Sequence, residues 1–149
     1  MTKFDLNSYS YIEAKNNGDR CEWMACAFYG VTREKHDSKS YDVASDIEIP
    51  NKNISVKSNT ASLISGSLCR GCHSFHGIWC RYRWRTHSDT FVYVTLKNYA
   101  YEMNIDEFSK FVHMFGYLTN EAQSRGGDLK IRLRAETKKM YAWLDGMAA

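Results

Sequence analysis

Three features predict an α/β (α+β) fold, a single mixed β-sheet flanked by helices. The run TFVYVTL at 90–96 is dense in β-branched and aromatic residues, which suit a pleated, buried strand. LKIRLRA, beginning at Leu129, alternates apolar and basic residues with the period of two that a half-buried strand imposes. Asn104 followed by Glu107 is a capping-box signature, and it opens a helical pattern through Phe108, Phe111, Val112 and Phe115 to Gly116. Helix and strand signals alternate along the chain, and helices laid on the faces of one sheet bury both most simply.

With 149 residues and no repeat, low-complexity tract or Pro/Ser-rich linker, residues 1–149 are expected to form one domain. Aromatic residues make up 14% of the chain, which points to an aromatic core or an aromatic binding face. A formal net charge of +3 permits a polyanionic partner without specifying one. The longest apolar runs, such as Trp23 to Gly30, are too short to span a bilayer, so no membrane partner is expected. MTKFDLNSYS lacks the apolar core of a secretory signal. Five cysteines, an odd number without a disulfide-scaffold spacing, indicate reduced thiols and a cytoplasmic location.

The elements follow in order. Residues 1–18 are polar and Asn-rich, with some helical character around Tyr11 to Lys15. DRCEWMACAFY, 19–29, is apolar nearly all round after its first turn and is stopped by Gly30, the pattern of a buried helix. A first strand is expected at 31–36, then a hairpin of 42–49 with 53–58. Small residues at 59–73 indicate a loop or short helical turn. From Phe75 to His87, the residues Phe75, Ile78, Trp79 and Tyr82 fall at helical spacing with arginines between them. Strand 90–96 follows, with Tyr99 to Met103 beside it, then the capped helix and the LKIRLRA strand. The last helix, Glu136 to Met147, carries Met140, Trp143, Leu144 and Met147 on one face.

The hairpin YDVASDIEIPNKNISVKSN carries the most chemistry. Alternation puts Asp42, Ala44, Asp46 and Glu48 on one face and Ile47 and Ile49 on the other. A turn at Pro50 to Asn53 would match Ile49 with Ile54 and Ile47 with Val56. It would also set Glu48 opposite Ser55 and Asp46 opposite Lys57, with Cβ atoms roughly 4.5–5.5 Å apart. Such a cluster has two readings: the wet side of an ordinary hairpin, or an acid–acid–lysine site.

A helix carrying Glu22, then Asp46 on one strand, then Lys57 on the next, resembles the PD-(D/E)xK nuclease superfamily. The textures G-x-R-x-E, S-D-I and I-x-V-K-S look like its Holliday-junction-resolvase and restriction-endonuclease branches. The likeness covers residues 18–58, and the later elements only in their order. It implies a restriction-endonuclease-like fold and a DNA endonuclease that hydrolyses phosphodiester bonds with Mg²⁺ or Mn²⁺. By that resemblance Asp46 is the central metal ligand and the Val56 carbonyl another. Lys57 orients the attacking water and stabilises developing charge, and Glu22 reaches the same metal shell. A homodimer, and an origin in phages or mobile elements, are further implications of the likeness.

The departure is Ser55, where the family pattern has Asp or Glu two residues before the lysine. Some restriction enzymes of the superfamily carry Ser there and recruit a Glu from the following helix. No acid lies between Glu48 and Asp89 here, so that substitution has no counterpart. Either Glu48 supplies the carboxylate from across the hairpin, or the fold persists without the reaction and binds DNA or a protein partner.

Other constellations have competing explanations. Cys69, Cys72, His76 and Cys80 are four zinc-capable side chains beginning with Cys-x₂-Cys, although a small buried thiol is the commoner fate of a cysteine. Their zinc would staple an interaction module. RYRWR places Arg81, Arg83 and Arg85 among aromatics, either as phosphate contacts or as the solvated side of a helix. Lys130, Arg132 and Arg134 share one strand face, as a DNA contact or as the charged guard of an edge strand. His36 and Asp37 fit a surface loop or an accessory acid. No Gly-rich phosphate loop, G-x-S-x-G elbow or His-Glu-x-x-His pair occurs, which argues against nucleotide hydrolase, serine hydrolase and zinc protease chemistry.

Overall fold

The computed structural model describes residues 1–9, 16–32, 45–59, 63–65, 74–120 and 129–149. The chain begins as strand β1 (Thr2–Asp5), and a single 3₁₀ turn follows at Asn7–Tyr9. Asn16 caps helix α1 (Asn17–Tyr29) by accepting the Asp19 N–H through its side chain. Gly30 closes that helix at φ 72°, the left-handed geometry that lets the Val31 N–H reach the Cys26 carbonyl at 3.0 Å. Strands β2 (Ile47–Ile49) and β3 (Lys52–Ser58) form the hairpin, and β4 (Ile64–Ser65) comes next.

Ser74 caps α2 (Phe75–Arg85) through the Gly77 N–H, and the chain returns as β5 (Thr90–Val94) and β6 (Tyr99–Asn104). Asn104 ends β6 and at once caps α3 (Ile105–Phe115), with both halves of the expected capping box formed with Glu107. Strand β7 (Gly116–Asn120) leaves α3 with no intervening loop. Strand β8 (Leu129–Leu133) and helix α4 (Lys138–Ala148), capped by Thr137, complete the order.

Five strands make a mixed sheet in the order β1-β6-β5-β3-β2. Its one parallel contact is β3 with β5, bridged by a crossover containing β4 and α2, and the remaining pairs are antiparallel. Val92, Val94 and Ile54 face α1, where they bury Cys21, Met24, Ala25 and Cys26. Phe91, Tyr93, Tyr101 and Met103 face the other way, against α2, α3 and α4. In that larger core Phe91 and Phe108 stack with centroids 4.3 Å apart and planes 2° from parallel.

The expected mixed sheet flanked by helices is present, but it is not the only sheet. LKIRLRA pairs with β4 on one side and β7 on the other, in a separate three-stranded sheet. As its middle strand β8 is no edge, so edge protection does not explain its charges. Strands β1, β4 and β7 have no counterpart in the sequence expectations, because TKFD, IS and GYLTN have neither the dense β-branched and aromatic run of TFVYV nor the strict alternation of LKIRL. Val31 and Thr32 are not in a strand; the rest of the strand expected at 31–36 lies outside the described residues, as do the helical character near Tyr11 and the positions of Asp42 and Ala44. Among the described residues no helix is long and apolar enough to cross a membrane.

Candidate active site

The hairpin forms in a register two residues away from the expected one. Pro50 and Asn51 alone make the turn, and Asn51 sits at φ 69°. Proline presets the first turn position, and asparagine tolerates the left-handed second one, so four turn residues are not needed. Ile47 therefore pairs with Ile54, Glu48 with Asn53 and Ile49 with Lys52. The apolar face is preserved, since a shift of two leaves every side chain on its own side. The polar pairing changes: Glu48 is exposed opposite Asn53, nearer the turn than Ser55.

The shift creates a notch at the edge of the main sheet. A regular ladder would continue by offering Val56 the backbone of Ser45. Instead the Asp46 carboxylate accepts the Val56 N–H at 2.7 Å, while the Asp46 N–H donates to the Ile54 carbonyl at 2.8 Å. In a strand the N–H and C=O of one residue point to the same side, so the Val56 carbonyl faces the notch as well. Among the described residues no strand covers that edge of β3 beyond Ile54. One acid and one backbone oxygen of the expected metal set thus stand together.

Lys57 follows Val56 and points, with Ser55, to the sheet face opposite α1. Its ammonium donates to the Leu63 carbonyl at 3.1 Å and lies 5.0 Å from the centre of the Tyr82 ring. Ser55 beside it is buried. Glu22 belongs to α1, which packs against the other face of β3, the side away from Lys57. Among the described residues no three His, Cys, Asp or Glu side chains converge as a metal-holding group, and Asp46, Glu48 and Glu22 are not gathered into one.

The chain reaches the notch under tight control. Ser45, buried, shares a 2.9 Å hydrogen bond with buried Ser88, in the segment that follows α2. Asp89 clamps the start of β3, accepting the Asn53 N–H through its carboxylate and giving its own N–H to the Asn53 carbonyl. Lys52 reaches over to Glu102 on β6 at 3.0 Å, and Tyr29 of α1 donates to the same carboxylate at 2.7 Å. Burial and the Glu102 bond push the Tyr29 hydroxyl pKa up, so it remains a donor at neutral pH.

Arg81, Arg83 and Arg85 lie along α2, with Arg83 paired to Asp106 at 3.2 Å in solvent. Lys130 and Arg132 stand on one face of β8 while Ile131 and Leu133 enter the core; Arg134 just beyond lies over Tyr117, 5.4 Å from the ring centre. Of the zinc-capable set, exposed His76 and Cys80 meet one helical turn apart at 3.4 Å, and Cys69 and Cys72 lie outside the described residues. Cys21 is a different kind of cysteine: burial raises its thiol to about 11, which leaves it unreactive at neutral pH.

Sequence reasoning did not single out Tyr82, Ser45 or Ser88 for this site. Tyr82 was legible as a core position from its spacing with Ile78 and Trp79, but its place beneath Lys57 depends on where α2 docks. Comparison of the chain with protein-family models, with curated proteins and with solved structures finds no match.

Proposed function

We propose that the protein is a divalent-metal-dependent DNA endonuclease that hydrolyses phosphodiester bonds at the notch along β3. The observation that carries this reading is the Asp46 carboxylate lodged against Val56, at the sheet edge where the Val56 carbonyl also points, one residue before Lys57. Hard oxygen donors of this kind suit Mg²⁺ or Mn²⁺, which typically keep waters and phosphate oxygens in their remaining positions. Bound there, the ion would supply charge neutralisation at the scissile phosphate and a more acidic water. Asp46 and Val56 are the residues that would hold it. Glu22 on α1 and Glu48 on the turn side of the hairpin are not gathered with Asp46 and would join the ion only by a change of side-chain position.

Lys57 contributes a fixed positive charge beside the phosphate. Its bond to Leu63 and its seat over Tyr82 restrict the ammonium to one place, which favours charge stabilisation without reorganisation. Arg81, Arg83, Arg85, Lys130, Arg132 and Arg134 supply phosphate contacts that orient the DNA without reading its sequence.

A second reading is a nuclease-like domain that binds DNA or a protein partner without cleaving. The register favours it, because Glu48 stands opposite Asn53 and not beside Ser55. One experiment separates the two: nicking of supercoiled plasmid with Mg²⁺ or Mn²⁺ against EDTA, using the wild type, Asp46→Asn and Lys57→Ala. Asp46→Asn keeps an acceptor for the Val56 N–H, so its effect reports on charge and not on the hairpin. Metal-dependent nicking that falls at least ~100-fold in both variants is expected, in line with losses from removing one electrostatic catalytic group. Nicking indifferent to both substitutions would sink the nuclease reading. Gel-shift binding without any cleavage would establish the second.

A further inference from the structure

Two of the described aromatic residues are exposed, Tyr9 at 37% and, much further out, Trp84. It is 77% exposed, near the C-terminal end of α2. Arg81, one turn earlier, lies over its ring with the guanidinium carbon 5.3 Å from the centroid. Arg81, Trp84 and Arg85 occupy i, i+3 and i+4 positions and so form one stripe on the helix. Phe75, Ile78, Trp79 and Tyr82 form the opposite, core-facing stripe.

An exposed tryptophan offers a large flat apolar surface, of which the Arg81 guanidinium covers only part. Flanked by arginines it complements a ligand that is both planar and anionic. Duplex DNA presents phosphates outside and keeps its base faces stacked inside, whereas an unpaired strand presents both together. The geometry points to Trp84 as a stacking platform for an unpaired base of single-stranded DNA, with Arg81 on the ring and Arg85 beside it meeting the neighbouring phosphates. This inference rests on the nucleic-acid reading above and adds the class of DNA engaged.

Its position relative to the notch defines what the contact does. Trp84 and Tyr82 are two residues apart and project from roughly opposite sides of the helix, so a strand on Trp84 does not lie over Lys57. Ser88, four residues beyond Trp84, is bonded to Ser45 next to Asp46. The platform therefore anchors the strand beside the candidate cleavage site, at the end of α2 that adjoins it.

The test is binding of a fluorescein-labelled dT₂₀ strand and a 20-base-pair duplex to the full chain in EDTA, read by anisotropy. The wild type is expected to prefer the strand. Trp84→Leu, at an exposed position that leaves the core intact, is expected to weaken strand binding about tenfold or more while duplex binding stays within about twofold. Quenching of tryptophan fluorescence by unlabelled dT₂₀ should shrink in the same variant. Equal strand affinity in wild type and Trp84→Leu, or a wild type that does not bind the strand, overturns the inference. Because EDTA removes any cleavage, such a failure leaves Asp46-dependent nicking standing, and loss of nicking leaves strand binding standing.

Discussion

Tyr82 concentrates two opposing demands in one side chain. Its ring is 1% exposed and supports the Lys57 ammonium, while its hydroxyl has no hydrogen-bond partner among the described residues. A buried hydroxyl left unpaired costs about 1–3 kcal/mol, and the ring beneath it does not need that oxygen for the cation contact. Tyr82→Phe is therefore expected to raise stability by about 1 kcal/mol and to leave Lys57 in place. Tyr82→Leu removes the ring and is expected to cost about 2–4 kcal/mol through lost packing. Urea unfolding of the three proteins checks both signs; a destabilised Tyr82→Phe would mean that the hydroxyl is satisfied in solution. Asp46 shows a similar economy, since one carboxylate replaces a missing ladder acceptor and also supplies the negative charge of the notch.

The junction of α3 and β7 leaves no room for a side chain at Gly116. A Cβ on Gly116 would lie 2.4 Å from the Val112 carbonyl oxygen, 3.2 Å from Ile131 and 3.3 Å from Phe75. The first of these is backbone of the helix just completed, and it cannot swing aside as a side chain would. Gly116→Ala must therefore displace α3 against β8, at an expected cost of about 1–3 kcal/mol. A urea midpoint unchanged from wild type would show that the junction relaxes freely. The consequence reaches the candidate site, because α3 supplies Phe108 to the core that also holds Tyr82 through Phe91.

Across the whole molecule, Lys3 and Asp145 join β1 to α4 from positions 142 residues apart, at 2.8 Å. Tyr101 donates to the same carboxylate at 2.5 Å. The Lys3 bond, and then the Tyr101 bond, hold the Asp145 carboxyl below its ordinary 3.8. The Asp145 bond raises Lys3 above 10.5, and burial followed by that carboxylate pushes Tyr101 up to about 12. For Asp145 the stabilisation is present above pH 3.8 and is lost as pH falls through the lower folded value. For Lys3 it is present below 10.5 and is lost as pH rises through the higher folded value. Both groups are partly solvated, so the pair is worth ~1 kcal/mol or less. Asp145→Asn is expected to remove that increment at pH 7 and to leave stability at pH 2 unchanged. Unfolding free energies at the two pH values test it, and an equal loss at both would assign the effect to packing.

The features that the sequence specifies are those written locally. Gly30 and the Asn104–Glu107 pair end and begin helices because caps act within one turn. TFVYV and LKIRL are strands because their side-chain periods do not depend on which strand lies beside them. Ile47 and Ile54 were identifiable as facing one core because a register shift of two leaves every side chain on its own face. Other features depended on what side-chain periods do not carry, a backbone angle or a partner distant in the chain. The positive φ of Asn51 decided the register, and with it whether Glu48 or the Asp46 carboxylate meets the backbone of β3. Pairing with β4 and β7 placed β8 in a sheet of its own, and the docking of α2 set Tyr82 under Lys57 while turning Trp84 to solvent. Periodicity tells a residue which face it occupies; only packing tells it what that face meets.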